Sequence, residues 1–444
     1  MRVLLVLVLA ALAGATASAP AAPASCATAD EVAAYQASLP GPARRTKAQL
    51  RKRDALARSA LACASGRQPL PFFPQGGVIG RDLYLTNTVD LADGPGLLDP
   101  WCGTRTYDGH TGEDVVIRSF REQRIGVPVF ASLDGQVRQV QEGMKDTSYG
   151  TQTLPWDNHV IVDAGHGQLQ VYGHLRRGSV TVEPGDWVVA GQQLGLTGSS
   201  GNSSWPHLHF TTMLDFQPSD PWAGECRPGA SGFVAEPAPG TELYVRDFTF
   251  SPNPFSGRAD LPWDEAVRTG TFAAGRRTVH FRVELGNAAS VSAVRVRFVR
   301  PDGSVARDDS PGIAFRLWRQ TWGTWRYDVD LDRAGTWRLL VDFDGRTLVD
   351  APFEVGQAVN HPANAVTASL AGNVCSVTQD LVREDPDYDI VRYRYVWRAG
   401  GSVVRAVTSA GLADILPRTV RGDLTCSVTP GDGRLSGPTA QAAG

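Results

Sequence analysis

Four patterns of apolar and polar positions follow one another along the chain. Arg2 leads into an apolar run from Val3 to Ala13, and small residues follow from Gly14 to Ala19, the layout of an export signal with its cleavage region. The run falls short of the roughly 20 apolar residues that span a bilayer, and no later stretch supplies them, so no membrane anchor is expected after cleavage. Residues 28–64 are rich in Ala, Leu, Arg and Lys and are interrupted at Gly41-Pro42, which predicts two helices joined by a turn. The basic positions Arg44, Arg45, Lys47, Arg51, Lys52 and Arg53 are expected on a solvated helix face. A contact with anionic polymer and a removable pro-segment are the competing readings.

From about 68 to 235, short apolar runs are punctuated by Gly, Pro and Asn, which predicts strands and turns. Val127 to Ala131 leads to Asp134-Gly135, Val160 to Val162 leads to Gly165, and Val188 and Val189 precede Gly191. A second β region runs from about 241 to 355. There Val279, Phe281, Val283 and Leu285 alternate with polar residues, which places His280 on the solvent side, and Asp344-Gly345 between two apolar runs predicts a hairpin. The last region, about 363 to 428, carries Cys375, Trp397 and Cys426, an order that resembles an immunoglobulin-like sandwich, although Leu424 stands where that fold often has a tyrosine. The expected fold class is therefore mainly β. A short helical hairpin (20–67) follows the signal (1–19), then come an antiparallel-sheet domain (68–236) and two β-sandwich, Ig-like domains (237–357 and 358–444).

Charge adds little: 43 Lys plus Arg against 46 Asp plus Glu leave −3, so no nucleic-acid partner is expected. The 6 cysteines change more. An even count in an exported chain predicts disulfides, and local grouping suggests Cys26 with Cys63, Cys102 with Cys226, and Cys375 with Cys426. A secreted protein, extracellular or periplasmic, is expected.

Histidines carry the chemistry. In His110-Thr-Gly-Glu-Asp114, Gly112 argues against helix and for a loop feeding a strand from Val115 to Ile117. An imidazole and a carboxylate there suit zinc, and a catalytic site needs one more such ligand and an open position. Pro206-His-Leu-His-Phe210 offers it, since His207 and His209 share one strand face. Tyr172-Gly-His174-Leu ends another expected strand and brings a further histidine toward the same cleft. Glu113 is a tempting base by position, but its side chain should diverge from its neighbours'. His159 follows Asn158 at the edge of the cleft, His166 occupies a turn, and His361 precedes Pro362 in a linker. Trp101, Trp156, Trp205 and Tyr172 are candidates for a groove lining, with packing the competing explanation.

Taken in order, these motifs resemble the lysostaphin and LytM-like family of zinc metallopeptidases, which hydrolyse peptidoglycan cross-links. The resemblance covers about 97–214 and includes Gly126-Val-Pro-Val, Asp134-Gly135, Asn158 with Val160 to Asp163, and Leu194 to Gly201. It implies a LytM-like metallopeptidase domain in which one zinc ion is held by His110, Asp114 and His209 and in which His174 and His207 act on the substrate; either imidazole can take the water's proton, and His207 is favoured as base with His174 as stabiliser. Asn158, His159 and Tyr172 are expected near the peptidoglycan substrate. Two departures stand at Thr211, where the family usually has an acidic residue, and Ala164, where it has histidine. The alternative is a non-catalytic wall-binding or hydrolase-activating protein on the same fold.

Overall fold

The computed structural model describes residues 26–63, 66–149, 154, 156–255, 267–313 and 319–444. The expected export signal lies outside them. Strands dominate, paired almost throughout in antiparallel fashion.

Helix α1 (Ala29–Ser38) starts where Thr28 and Glu31 cap one another, the Thr28 hydroxyl accepting from the Glu31 N–H at 3.1 Å and the Glu31 carboxylate from the Thr28 N–H at 2.7 Å. After a short 3-10 turn at Pro42–Arg44 comes α2 (Lys47–Cys63). Val32, Ala57 and Ala60 bury themselves against Trp187 and Val189. The basic face is not wholly solvated. Arg44, Lys47, Arg51 and Lys52 are exposed, but the Arg45 and Arg53 side chains are only 9% and 5% exposed and reach Asp186 at 2.9 and 3.1 Å. A fixed carboxylate on the neighbouring sheet draws them in.

That sheet is built from β1 (Tyr84–Asn87), β2 (Glu113–Val116), β4 (Gly135–Gln141), β5 (His159–Gly165), β6 (Gln168–Gly173), β7 (Trp187–Val188), β9 (His207–Leu214) and β10 (Gln217–Ser219). Its order is β1-β2-β9-β6-β5-β4-β7, with β10 beside β9. Two further short strands, β3 (Pro128–Phe130) and β8 (Gln193–Leu196), pair with each other. Strand β2 starts at Glu113, two residues before the expected Val115, because it pairs with β9 from Glu113 opposite Phe210 onward. Asp114 therefore sits on a strand, opposite His209. Beneath it Phe210, fully buried, meets Phe73 and Tyr172 at 5.8 and 5.3 Å between ring centroids. Truncating such a ring costs roughly 3–5 kcal/mol, so β9 is anchored from below.

Downstream, a three-stranded sheet (Tyr244–Ser251, Gly275–Gly286, Gln320–Leu331) and a five-stranded sheet share one core containing Phe250, Phe281, Phe298, Trp337 and Phe353. Asp344 and Gly345 both have positive φ, 48° and 81°, and connect Gly335–Phe343 to Arg346–Val355 as a two-residue hairpin turn. His280, expected in solvent, is only 5% exposed. The face it shares is closed over by charge pairs, with Arg282 and Arg268 on Asp247 and Arg246 on Glu284, so alternation no longer separates inside from outside.

The last region has a three-stranded and a four-stranded sheet. The Cys375–Cys426 disulfide joins Val374–Thr378 of one to Leu424–Gly431 of the other, and Trp397 is buried opposite Cys426. Cys102 is bonded to Cys226. Cys26 is disulfide-bonded as well, and the side chain of Cys63 lies outside the described residues.

Arginines, two of them buried, join the regions. Arg118 binds Glu122 at 2.6 Å and Glu384 at 2.5 Å. Arg246, with no exposed surface, donates to the carbonyls of Asp82 at 3.0 Å and Val116 at 3.2 Å while pairing with Glu284. Arg418 reaches both Asp134 and Asp30. Among the described residues no helix is long and apolar enough to cross a membrane.

Candidate metal centre

Asp114 and His209 face each other across the β2–β9 ladder, and His110 stands four residues before Asp114 in the preceding turn. One ligand atom from each lies within 4.8 Å of the others, the one such histidine and carboxylate group among the described residues. His110 Nε2 is 3.2 Å from an Asp114 oxygen and 3.3 Å from His209 Nδ1, and His209 Nδ1 is 2.8 Å from the second Asp114 oxygen. Gly112 makes the turn possible. A Cβ there would lie 2.6 Å from the Thr211 hydroxyl, 2.8 Å from the Phe210 carbonyl and 2.9 Å from His209 Nε2.

Every histidine of the cluster is tied to a protein oxygen through one ring nitrogen. His110 Nδ1 is 2.7 Å from the Thr88 carbonyl, His174 Nδ1 2.7 Å from the Ser200 carbonyl, and His207 Nδ1 2.7 Å from the Trp205 carbonyl. A carbonyl only accepts, so each of these nitrogens carries the proton and each Nε2 keeps its lone pair. His209 is tied the other way round, its Nε2 lying 3.0 Å from the Thr211 hydroxyl, which leaves Nδ1 toward Asp114. Two imidazole nitrogens and a carboxylate thus converge at distances that a shared cation would stabilise. The donor set, two nitrogens and one oxygen, fits zinc with a position to spare.

Two more rings stand beside the cluster. His207 Nε2 is 3.4 Å from Asp114, and the His174 ring is 4.5 Å from that of His207. His174 holds a positive φ of 58°, a conformation that side chains rarely adopt and that gathers at functional positions. Its N–H donates to Asp157 at 2.9 Å, and the other Asp157 oxygen holds His159 Nδ1 at 2.9 Å. Burial and the neighbouring His207 push the His174 imidazole down to about 4, so it is neutral at neutral pH. Burial alone would raise the Asp157 carboxyl, but the His159 hydrogen bond and the two imidazoles outweigh it and hold it below the usual range. Asp114 is likewise depressed, burial being overcome by His110 and His207.

Two expected substrate contacts are corrected. Tyr172 is fully buried with its hydroxyl at 2.9 Å from the Ser132 N–H and 2.8 Å from its hydroxyl, and Asn158, also fully buried, spends its amide on Met144 and Leu175. Both serve the scaffold and have no group left for a ligand. His159 lies at the rim between Asp157 and Gln139. Glu113 points away from the cluster, accepting from the Trp222 indole at 2.7 Å, and burial together with Asp220 raises its carboxyl. Of the candidate groove aromatics, Trp101 packs on Trp222, whereas Trp156 is 47% exposed. Sequence reasoning missed Asp157, although its place beside Asn158 and His159 was a signal. It also missed Asn87, whose amide donates to Asp114 at 3.0 Å.

Residues 109–221 match the model of peptidase family M23. Lysostaphin of Staphylococcus staphylolyticus is 32% identical over 173 residues, 35% of this chain and 34% of that protein. The peptidoglycan DD-endopeptidase ShyA of Vibrio cholerae is 29% identical over 116 residues, 26% and 23% of the respective lengths. The chain thus spans about a third or less of these curated relatives. Among solved structures, the catalytic domain of the antimicrobial peptidase lysostaphin from Staphylococcus simulans is 24% identical, covering 32% of this chain and 89% of that one at a TM-score of 0.22.

Proposed function

We propose, from the match of residues 109–221 to the model of peptidase family M23, that the chain is a secreted zinc metalloendopeptidase that hydrolyses peptide bonds of bacterial peptidoglycan. The observation that carries the reading is the convergence of His110 Nε2, Asp114 and His209 Nδ1 within 4.8 Å, with His174 and His207 alongside. All five polar groups are present, which favours an active enzyme over a wall-binding relative that has lost its chemistry.

Zinc held there supplies a Lewis acid for the scissile carbonyl and lowers the pKa of water toward ~7. The protein's share is proton handling and orientation. His207, with Nδ1 given to the Trp205 carbonyl, presents Nε2 beside Asp114, takes up the proton of the attacking water and returns it to the leaving amine. His174 is neutral, and its proton is committed at Nδ1 to Ser200. Its Nε2 therefore accepts a hydrogen bond and orients the water, in place of the oxyanion-stabilising role expected from the sequence, which needs a proton at Nε2. The Cys, Trp, Cys region is assigned as an Ig-like sandwich, and its two sheets bridged by a disulfide support that.

Incubating purified peptidoglycan with the wild type, with His209→Ala and with chelated wild type tests the proposal. New amino termini should appear with the wild type alone and return when zinc is restored to the chelated protein. Equal release by His209→Ala would overturn it.

A further inference from the structure

Trp322 lies in the strand Gln320–Leu331, outside the residues that match the peptidase family, yet it packs on Trp205, two residues before His207. Its ring stacks on Trp205 at 5.9 Å and 21°, and 39% of it stays exposed. Trp205 is fixed from three sides. Its indole N–H donates to the Ile117 carbonyl at 3.0 Å, Phe120 meets its ring at 5.6 Å, and its own carbonyl receives the His207 Nδ1 proton at 2.7 Å. The two indoles therefore form a ledge that begins two residues from the proposed base.

The ledge is held in place by more than stacking. Trp322 pairs across its sheet with Glu284, and Glu284 is bound by Arg246, whose guanidinium also grips the carbonyl of Val116, the last residue of the strand that carries Asp114. The downstream sheet is thus clamped to β2, and the exposed indole keeps its place against Trp205. On the face that carries Trp322 its strand neighbours are Gln320 and Thr324, both uncharged, and across the sheet Glu284 and Arg282 are paired with Arg246 and Asp247, so the indole is set among neutral or neutralised groups. Two stacked indoles on a rigid support, one of them open to water, offer a flat apolar face with polar edges for a ligand.

We propose that Trp322 and Trp205 form a subsite for a neutral sugar ring, the N-acetylated hexose of the glycan strand to which the cleaved peptide is attached. This rests on the function proposed above. A pyranose presents one face of C–H bonds and an edge of hydroxyls, a division that matches an uncharged indole ledge open to water along its border. A carboxylate-bearing peptide stem finds no counter-charge there.

The test compares wild type, Trp322→Ala and Trp322→Phe on a cross-linked muropeptide that keeps its disaccharide and on the same peptide with the sugar removed. Trp322→Ala should raise KM about tenfold on the sugar-bearing substrate with kcat within about twofold, leave the stripped peptide unchanged, and be largely rescued in Trp322→Phe. Equal loss on both substrates, or no loss on either, overturns the proposal. Titration of an N-acetylglucosamine trimer followed by tryptophan fluorescence separates the subsite from the catalytic reading. A saturable change in the wild type that is absent from Trp322→Ala supports the subsite even if neither peptide is cleaved, and no difference between the two proteins sinks it.

Discussion

The Thr211 hydroxyl lies 3.0 Å from Nε2 of His209, across the imidazole from the Asp114 oxygen that approaches Nδ1 at 2.8 Å. The hydroxyl stands where the resembling family usually has an acid, and it engages the nitrogen that His209 turns away from Asp114. Outer partners of this kind change metal affinity by about 10–100-fold when removed. Thr211→Val should weaken zinc binding within that range, measured by competition with a chromophoric chelator, and should leave the unfolding midpoint of the metal-free protein nearly unchanged.

Asp157 supports His174 and His159 together, through its two oxygens. Asp157→Asn keeps the shape but leaves one oxygen to accept where two did. We expect kcat on peptidoglycan fragments to fall about 10–100-fold with zinc stoichiometry unchanged. Loss of zinc in this variant would show that Asp157 supports the ligands instead.

Gly112 allows β2 to approach β9 at the ligand positions. Gly112→Ala sets a methyl within 2.6 to 2.9 Å of three atoms, two of them on the His209 and Thr211 side chains and one on the backbone. The variant should lose about 1–3 kcal/mol in urea unfolding and bind zinc more weakly than the wild type. Wild-type behaviour in both measurements would mean that the turn has room to yield.

His174 gives the metal-free protein a pH dependence. Its imidazole is pushed down from 6.5 to about 4 in the folded state, so between these values the unfolded chain binds more protons and stability rises with pH. The contribution is complete above about 6.5 and is lost as pH falls toward 4, amounting to roughly 3 kcal/mol. Urea midpoints of the chelated protein between pH 4 and 7 should be flatter for His174→Gln than for the wild type.

The Cys375–Cys426 bond closes a loop of 51 residues. Replacing both cysteines by alanine should lower stability by about 4 kcal/mol. The change should appear in calorimetry, and the zinc content should stay as it was.

The ligand trio was legible because its signal is local. A histidine four residues before an acid, with an intervening glycine, and a His-x-His pair set between apolar residues each carry their geometry in their spacing. What failed depended on contacts distant in sequence. Tyr172 and Asn158 sit in motifs that flank the cleft, but their burial is settled by partners distant in the chain, here the cross-strand Phe210 and the Ser132 hydroxyl and N–H for the tyrosine. His280 read as exposed because alternation assumes one wet face, and charge pairs close that face. Arg45 and Arg53 read as solvated because Asp186 lies far along the chain. Trp322 carried no motif at all.

Arg418 has a consequence for the order in which the molecule becomes whole. Its guanidinium spans Asp30 near the start of the described chain and Asp134 in the peptidase region, so a residue made late completes contacts among residues made early. An emerging polypeptide can form its local hairpins as it appears, but the clasp between helix, sheet and terminal sandwich closes only after position 418 has been delivered. Contacts between the early helix and the peptidase-like sheet through this guanidinium are thereby completed only once residue 418 is present.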